Sequence, residues 1–447
     1  MHFSIPDTED CSNESGTYTL FKVSINGAHH CSVRYSQLHN LNEQLKNEFG
    51  ELIPDFPPKK LFSLNSKGVE ERRNQLEKYL QIISQNQIVM NSDCLVDFFT
   101  NAQQEMFPEN EFDVDLVVYL MNYQKVVVNI KSHDQTENVL EKIMDELGLE
   151  KNNVYYFGIY LVKKDEVDSI KIVRKIQDFE SPYISLQNAN KSEKHRLIIR
   201  KSYFELSFEA ELYFDKVAID LLYYQAVDEL EKGQIIPDNE SIRSLEQLKN
   251  RDLKLEFIKL IASQKFYGFM HFRSCIVNYP EANIKANLKI GKRSIIILYD
   301  TKNTEEEIVL KITRIKCWKV SGMNTYESGN QVATQLELSI EYLSAKNKLT
   351  IINIQTDQAI LISTSVQTMV DEILLKKDGK KIKRPSDRQR AKATQFLTRN
   401  KSLVKSGSAN QNTDSETTSL ESNLNLPADY SKNDLFENED FITNDDL

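Results

Sequence analysis

Four residues near the N-terminus have the chemistry to hold a phosphorylated ring. Arg34 and Tyr35 end a strand-like run, and Lys59 follows a stiff pair of prolines. Arg72 falls on the apolar face of a predicted helix, where an arginine needs an anion or several acceptors. A guanidinium offers paired donors to a phosphate, and a tyrosine ring can pack against the face of a sugar. A salt bridge from Arg72 to a neighbouring carboxylate such as Glu71 is the alternative.

A hairpin and three helices are predicted to position these residues. Residues 18–25 alternate between polar and apolar side chains, and Asn26-Gly27 is typical of a tight turn before the strand that ends at Arg34. Apolar side chains at helical spacing predict one helix that stops at Gly50, a second over about 68–84 and a third near 92–103. The four residues therefore sit at element boundaries.

Three later stretches differ in their pattern of predicted helices and strands. Residues 111–202 have the order of two strands, a helix and further strands, which is that of a ubiquitin-like module. Residues 203–268 are predicted to be largely helical. Residues 269–377 are rich in strands and close with a helix at 357–375, which is the plan of a pleckstrin-like or phosphotyrosine-binding-like sandwich.

Composition and charge exclude several classes of protein. The chain has 447 residues, with 56 basic and 66 acidic side chains, and this net charge of −10 argues against a nucleic-acid binder. No apolar run approaches the roughly 18 residues that a spanning helix needs. The five cysteines are far apart without a Cys-x-x-Cys, which suggests free thiols rather than disulfides or a metal site. A Gly-rich phosphate loop and a nucleophile elbow are absent, so neither an enzyme nor a cofactor is predicted.

The end of the chain consists of two charge blocks. Residues 376–405 hold twelve basic side chains against two acidic ones, and residues 406–447 hold ten acidic side chains against one lysine. We expect residues 378–447 to be disordered. The basic block could strengthen contact with anionic lipid, act as a nuclear-type basic run, or simply be a solvated linker.

Three ordered motifs resemble the signatures of a phox-homology (PX) domain: Arg34-Tyr35-Ser36-x-Leu38, Phe56-Pro57-Pro58-Lys59-Lys60 and Arg72-Arg73-x-x-Leu76-x-x-Tyr79-Leu80. The resemblance implies a site for phosphatidylinositol 3-phosphate. Arg34 would hold the 3-phosphate and Tyr35 would pack on the inositol ring. Lys59 would meet the 1-phosphate, and Arg72 the remaining ring hydroxyls.

The resemblance extends to the PX-FERM sorting nexins, and most closely to the branch of sorting nexins 17 and 31. It is carried by Met1–Pro6, Val33–Leu38, Pro57–Leu64, Val173–Lys175, Cys317-Trp318 and Met369–Glu372. It implies an α+β fold with a PX domain (residues 1–107, a three-stranded sheet plus helices) before an atypical FERM module. The module would comprise a ubiquitin-like F1 lobe (111–202), a helical F2 lobe (203–268) and a PTB-like F3 lobe (269–377), with a disordered tail at 378–447.

The F3 lobe is expected to bind a peptide. A PTB-like sandwich accepts an extended segment along a strand edge beside its C-terminal helix. By resemblance, Trp318, Val370 and Leu374 line a groove for Asn-Pro-x-Tyr or Asn-x-x-Tyr motifs in receptor tails, such as those of the LDL-receptor family and integrin β. On residue type alone, core packing is the ordinary role for all three. No arginine cluster is evident for a phosphotyrosine, so the unphosphorylated motif is expected.

The F1 lobe resembles Ras-association modules. Lys163, Lys164, Arg174 and Lys175 could therefore face the acidic surface of a Ras-family GTPase, or form a solvated patch.

The acidic tail carries two further signals. Its last residues resemble the tail that couples such nexins to the Retriever recycling complex, with Ile442, Asp445, Asp446 and the Leu447 carboxylate as the docking groups. Thr443 stands where glycine is usual, and Asn444 where an acid is usual. Residues 433–436 and 438–441 are both Asn-x-x-Phe. The tail could therefore occupy the F3 groove until cargo displaces it; the alternative is that both matches arise by chance in an Asn-rich segment.

These features together predict an endosomal cargo adaptor. It would be cytoplasmic and peripheral on early endosome membranes, and would return receptors to the plasma membrane rather than to lysosomes. The alternative is a FERM-type linker between membrane and cytoskeleton, or a GTPase effector.

Overall fold

The computed structural model describes residues 1–13, 16–60, 64–164, 170–189, 193–302, 304–327, 330–345, 348–385, 431–433 and 435–436. These residues form a PX domain and three further lobes around three large apolar clusters. Within the described residues, no helix is both long and apolar enough to cross a membrane.

The PX domain is an antiparallel three-stranded sheet covered by helices. Its strands are β1 (Phe3–Asn13), β2 (Gly16–Ile25) and β3 (Ala28–Arg34), and its helices are α1 (Tyr35–Phe49), α2 (Ser66–Gln85), α3 (Gln87–Met90) and α4 (Asp93–Met106). The predicted turn at Asn26-Gly27 is confirmed, since both residues have positive φ. A Cβ on Gly27 would lie 3.2 Å from Ile360 of the last helix, so glycine also permits this close approach.

The F1 lobe is a five-stranded sheet with an amphipathic helix on one face. It contains β4 (Asp113–Tyr119), β5 (Lys125–Lys131), α5 (Thr136–Leu147), β6 (Phe157–Lys164), β7 (Ile170–Lys175), α6 (Pro182–Gln187) and β8 (His195–Lys201). The strand order is β5-β4-β8-β6-β7, with β4 parallel to β8. The two-strands, helix, strands order predicted for this lobe is confirmed.

The F2 lobe is helical and shares one core with F1. Its helices are α7 (Glu209–Leu212), α8 (Lys216–Glu231), α9 (Asn239–Asn250) and α10 (Lys254–Ala262). The apolar face of α5 and residues from α8 and α10 belong to a single buried cluster. The two lobes are therefore packed as one unit.

The F3 lobe is an antiparallel sheet accompanied by one long helix. Its elements are β9 (Met270–His271), β10 (Cys275–Val277), β11 (Ile284–Gly291), β12 (Ser294–Asp300), β13 (Glu305–Lys311), β14 (Ile315–Glu327), β15 (Asn330–Ala345), β16 (Lys348–Gln355) and α11 (Ala359–Lys377). A short strand from the tail, β17 (Ser431–Lys432), pairs with β14. The predicted closing helix is confirmed, and its residues Val366, Met369 and Val370 are buried.

A buried ion pair within F1 lies next to the contact of this lobe with the PX domain. Arg174 donates two hydrogen bonds to the carboxylate of Glu180, at 2.8 and 2.7 Å, and both side chains are buried. The backbone amide of Ser181 donates to Gln103 of α4 at 2.8 Å. Arg174 was one of four basic residues that could face a GTPase or form a solvated patch. Both alternatives are wrong for Arg174, because its guanidinium is buried with Glu180.

The start of the basic block is packed against acidic side chains of F1 and F2. Lys381 lies 3.1 Å from Glu211, and Arg384 lies 2.5 Å from Glu137. Residues 378–385 were expected to begin a disordered tail. Lys381 and Arg384 are instead ion-paired with three carboxylates of the neighbouring lobes: Glu137, Glu141 and Glu211.

Candidate functional site

The PX domain places three of its four predicted lipid-binding residues, Arg34, Tyr35 and Arg72, next to one another. Arg34 is the last residue of β3 and precedes the first turn of α1, which begins at Tyr35. The Arg72 guanidinium lies 4.3 Å from the centre of the Tyr35 ring. The Tyr35 hydroxyl donates to the carbonyl oxygen of Pro57 at 2.7 Å, which attaches the proline loop to α1. We call Arg34, Tyr35, Lys59 and Arg72 the lipid pocket.

The Nε atom of Arg72 is the strongest indication that the pocket binds a ligand. Its side chain is only 9% exposed, and one terminal nitrogen donates to the Pro58 carbonyl at 3.2 Å. Its Nε is buried and has no hydrogen-bond partner among the described residues. Because an unpaired buried donor is costly, this atom favours an acceptor brought by a ligand. The alternative salt bridge is not formed: Glu71 lies 4.0 Å from Lys60, and Glu70 pairs with Arg73.

Arg34 is held by an aromatic ring rather than by a carboxylate. Its guanidinium carbon lies 3.4 Å from the centre of the Tyr18 ring on β2. Stacking uses the face of the guanidinium and leaves its in-plane N–H groups free to donate to an anion. Tyr18 was missed in the sequence because a cross-strand stack leaves no spacing signal. Lys59 is exposed on the proline loop.

Arg73 differs from its neighbour Arg72. It pairs with Glu70 at 2.6 Å and with Glu77 at 3.8 Å, and it also donates to the carbonyl oxygen of Ile5. It therefore fastens α2 to β1. Consecutive arginines of one motif thus have separate environments, one inside the pocket and one outside it.

An aromatic cluster supports the pocket from beneath. The Phe56 ring lies 5.5 Å from that of Tyr35 and 4.8 Å from that of Tyr79. Tyr79 in turn donates to Asn42 of α1 at 3.1 Å. The loop that carries Lys59 is therefore anchored to both α1 and α2.

In the F3 lobe, a segment of the tail lies along the edge of β14, where the peptide groove is predicted. Ser431 and Lys432 pair antiparallel with Trp318 and Cys317, so a tail segment extends the sheet by one strand. We call residues 431–436 the tail segment. The backbone amide of Asn433 donates to the carbonyl oxygen of Lys316 at 3.2 Å, which continues the pairing.

Asn433 is the anchor of the tail segment. Its side-chain amide donates to the carbonyl oxygens of Ile312 at 2.8 Å and Ile315 at 2.5 Å. Its side-chain oxygen accepts from the amide of Leu435 at 3.1 Å, and its carbonyl accepts from Phe436 at 3.0 Å. These bonds close a tight turn directly after the added strand. The first Asn-x-x-Phe segment therefore occupies F3, as predicted, whereas residues 438–441 lie outside the described residues.

The three predicted groove residues are largely core side chains. Trp318 is 1% exposed and its indole donates to the Ser363 hydroxyl at 3.0 Å, while Val370 is fully buried. Leu374 is half-buried and packs against the same cluster. Trp318 therefore meets the tail segment through its backbone, and α11 forms the wall behind it. Ile312 and Ile315 were missed, since backbone acceptors carry no signature in the sequence. Ser363 was missed because its hydroxyl meets the Trp318 indole only through tertiary packing.

Four family models match successive parts of the chain. They describe a PX domain at residues 22–102, the F1 lobe of the FERM domain of sorting nexins 17, 27 and 31 at 114–204, the F2 lobe of sorting nexins 17 and 31 at 205–265, and the sorting nexin 17 FERM C-terminal domain at 268–374. Sorting nexin-17 of Danio rerio is 38% identical over 417 residues, which cover 91% of this chain and 88% of that protein. The chain belongs to the sorting nexin 17/31 family.

Two human proteins show a similar degree of identity to the chain. Sorting nexin-17 of Homo sapiens is 37% identical over 86% of this chain and 84% of its own length. Sorting nexin-31 of Homo sapiens is 34% identical over 84% of this chain and 86% of its own length. Membership of this sorting nexin family, with its PX and FERM domains, supports an endosomal sorting adaptor that associates peripherally with endosomal membranes. A PX domain implies phosphoinositide binding.

A buried carboxyl fastens α11 of this sorting nexin to the other lobes. Glu372 accepts hydrogen bonds from the backbone amides of Phe204 at 2.9 Å and Glu205 at 2.8 Å. Burial raises the pKa of Glu372 to about 8, and the nearby carboxylates of Glu205 and Asp371 act in the same direction. The wall of the peptide groove is therefore tied to the junction between F1 and F2.

The remaining predicted contact residues are the basic residues of F1 and the docking residues at the end of the tail. Lys163 pairs with Glu193 at 2.8 Å, so it is not a free cation for a GTPase, and the side chain of Lys164 lies outside the described part. Lys175 is half-buried at the end of β7. The predicted docking residues Ile442, Asp445, Asp446 and Leu447 also lie outside the described residues.

Proposed function

We propose that this sorting nexin is an endosomal cargo adaptor that holds phosphatidylinositol 3-phosphate in its PX domain and receptor sorting motifs in its F3 lobe. The observation that carries the proposal is the tail segment on β14, since its Asn-x-x-Phe pattern is close to Asn-Pro-x-Tyr. A strand edge that accepts this pattern from the chain itself has the chemistry to accept it from a receptor. By joining the lipid pocket to the peptide groove, the adaptor would collect receptors on endosomes. The proposal is that these receptors return to the plasma membrane rather than to lysosomes.

The lipid half of the proposal rests on the donors of the pocket. Arg34 offers in-plane donors beside the Tyr18 ring, and Arg72 offers a buried Nε without a partner among the described residues. A ring that carries phosphate and hydroxyl groups supplies acceptors for both arginines. Tyr35, which packs against the Arg72 guanidinium, provides the apolar face for the ring.

Liposome sedimentation across phosphoinositides tests the lipid half. Arg34→Ala and Arg72→Ala should each remove binding to vesicles that contain phosphatidylinositol 3-phosphate. Arg73→Ala is the matched control, because Arg73 is paired with Glu70 and Glu77 and should leave lipid binding intact. Unchanged binding by Arg34→Ala would refute the assignment of the pocket.

The cargo half rests on strand addition. Backbone pairing with β14 supplies affinity that does not depend on side-chain identity. The Asn433 side-chain amide adds specificity, because it donates hydrogen bonds to the carbonyl oxygens of Ile312 and Ile315. The same contacts are available to the asparagine of a receptor motif. Titration calorimetry of a receptor-tail peptide into the full chain tests this half, with the asparagine of the motif replaced by alanine as the control. Equal heats from the two peptides would refute the proposal.

The recruitment of recycling machinery is the third part. Ile442, Asp445, Asp446 and Leu447 are proposed to dock on the Retriever complex, which would connect cargo on the membrane to its carrier. Each contact can be weak, because simultaneous engagement of membrane, cargo and carrier multiplies them. Deletion of Leu447 should abolish association with purified Retriever and leave liposome binding unchanged. If the variant without Leu447 still binds Retriever, these residues do not form the docking site.

A further inference from the structure

The tail segment buries its leucine more deeply than its aromatic residue. Leu435 is fully buried, with 0% exposure, and belongs to the F3 core cluster together with Trp318, Met369 and Val370. Phe436, which stands at the aromatic position of the motif, remains half-buried. The residue before the aromatic position is therefore the main apolar anchor of this segment.

The turn at Asn433 directs the leucine inward. The Asn433 side chain is fixed by two backbone carbonyls of the groove and by the amide of Leu435 itself. The hydrogen bond from the Phe436 amide to the Asn433 carbonyl closes the turn around this position. Because these bonds involve only asparagine and backbone atoms, a foreign motif with asparagine at the same place would present its own third residue to the same spot.

We propose that the peptide groove contains an aliphatic subsite for the residue immediately before the aromatic of the sorting motif. The proposal rests on the proposed cargo function and deepens it. The groove would select receptor tails with leucine, isoleucine, valine or methionine at this position. Alanine would leave part of the subsite empty, and a charged residue would have to enter an apolar cluster without a partner.

The two Asn-x-x-Phe segments of the tail fit this rule. The segment that lies on β14 has Leu435 before its phenylalanine, whereas the second has Asp440 at the equivalent position. A carboxylate is poorly suited to the subsite. The subsite thus explains why the first segment rather than the second is the ligand of the groove.

Peptides of identical composition provide the sharpest test. Four receptor-tail peptides with common flanks would carry Asn-Ala-Leu-Tyr, Asn-Leu-Ala-Tyr, Asn-Ala-Ala-Tyr or Asn-Ala-Asp-Tyr, and be titrated into the full chain by fluorescence anisotropy. The tail segment competes equally with all four, so the ratios of their affinities are preserved. Asn-Ala-Leu-Tyr should bind about tenfold more tightly than Asn-Leu-Ala-Tyr, as expected for burial of one leucine side chain. Asn-Ala-Asp-Tyr should bind most weakly.

Substitution of the chain's own anchor gives an independent readout. Leu435→Ala in the full chain should tighten the apparent affinity for Asn-Ala-Leu-Tyr, because the internal competitor is weakened. Leu420→Ala, a matched change elsewhere in the tail, should have no effect. Equal binding of the two isomeric peptides would overturn the subsite and leave the cargo function standing. Failure of all four peptides to bind would refute the cargo function, and the subsite with it.

Discussion

Asn433→Ala should open the peptide groove to receptor motifs. The substitution removes three hydrogen bonds of a side chain that is 2% exposed: two to the carbonyls of Ile312 and Ile315, and one from the Leu435 amide. At roughly 1 kcal/mol net for each bond, docking of the tail segment weakens by about 2–3 kcal/mol, or about 30- to 150-fold. Because a receptor peptide competes for the same edge, its apparent affinity rises by up to this factor, until nearly every groove is open.

Titration calorimetry of one receptor-tail peptide into the full chain measures the effect. Asn438→Ala, in the second Asn-x-x-Phe segment, is the matched control and should behave like the unaltered chain. Deletion of residues 406–447 should reach the same affinity as Asn433→Ala or exceed it. If the unaltered chain, Asn433→Ala and the deletion all bind the peptide equally, the tail segment does not compete with cargo and the argument fails.

Three further predictions concern buried polar groups. Arg174→Met should lower the free energy of unfolding in urea by about 3–5 kcal/mol, because Glu180 is left buried without its partner. Ser363→Ala should lower it by about 1–3 kcal/mol, since the buried indole N–H of Trp318 loses its acceptor. Glu372 has a raised pKa of about 8, so the folded state binds more protons than the unfolded state between about pH 5 and pH 8. Stability measured by thermal unfolding should therefore fall as pH rises through that window, and Glu372→Gln should remove the slope.

The positions of the predicted lipid-binding residues relative to the strands and helices could be predicted from the sequence because these residues belong to short local elements. Arg34 and Tyr35 stand at a strand end, and the helical spacing around Arg72 places it on the buried face of α2. The same spacing leaves Arg73 off that face, but its contact with the carbonyl oxygen of Ile5 on β1 depends on the tertiary fold. Tyr18 is brought to Arg34 by strand register, which no local pattern specifies.

Charged residues were the least predictable part of the chain. Arg174 belonged to a run of basic residues typical of an exposed patch, and only the fold of F1, which buries Glu180 beside it, reveals that Glu180 pairs with its charge. Arg384 likewise belonged to a block that looked like a solvated linker, yet it meets Glu137, 247 residues away in the chain. Composition gives the sign of the net charge of a segment. The ion-pair partner of each charged residue is instead set by the tertiary fold.

Helix α11 connects the peptide groove to every other lobe. Ser363 accepts the indole of Trp318 behind the groove, Glu372 accepts backbone amides from the F1–F2 junction, and Asp371 accepts from Gln87 of the PX domain. Because packed interfaces shift as units rather than deform continuously, a movement of α11 would disturb all three contacts together. These contacts connect the PX domain to the F3 lobe through α11. Under the proposed function, a PX domain bound to the membrane would hold the groove near the lipid surface, and this would raise the local concentration of the receptor motif without any new contact.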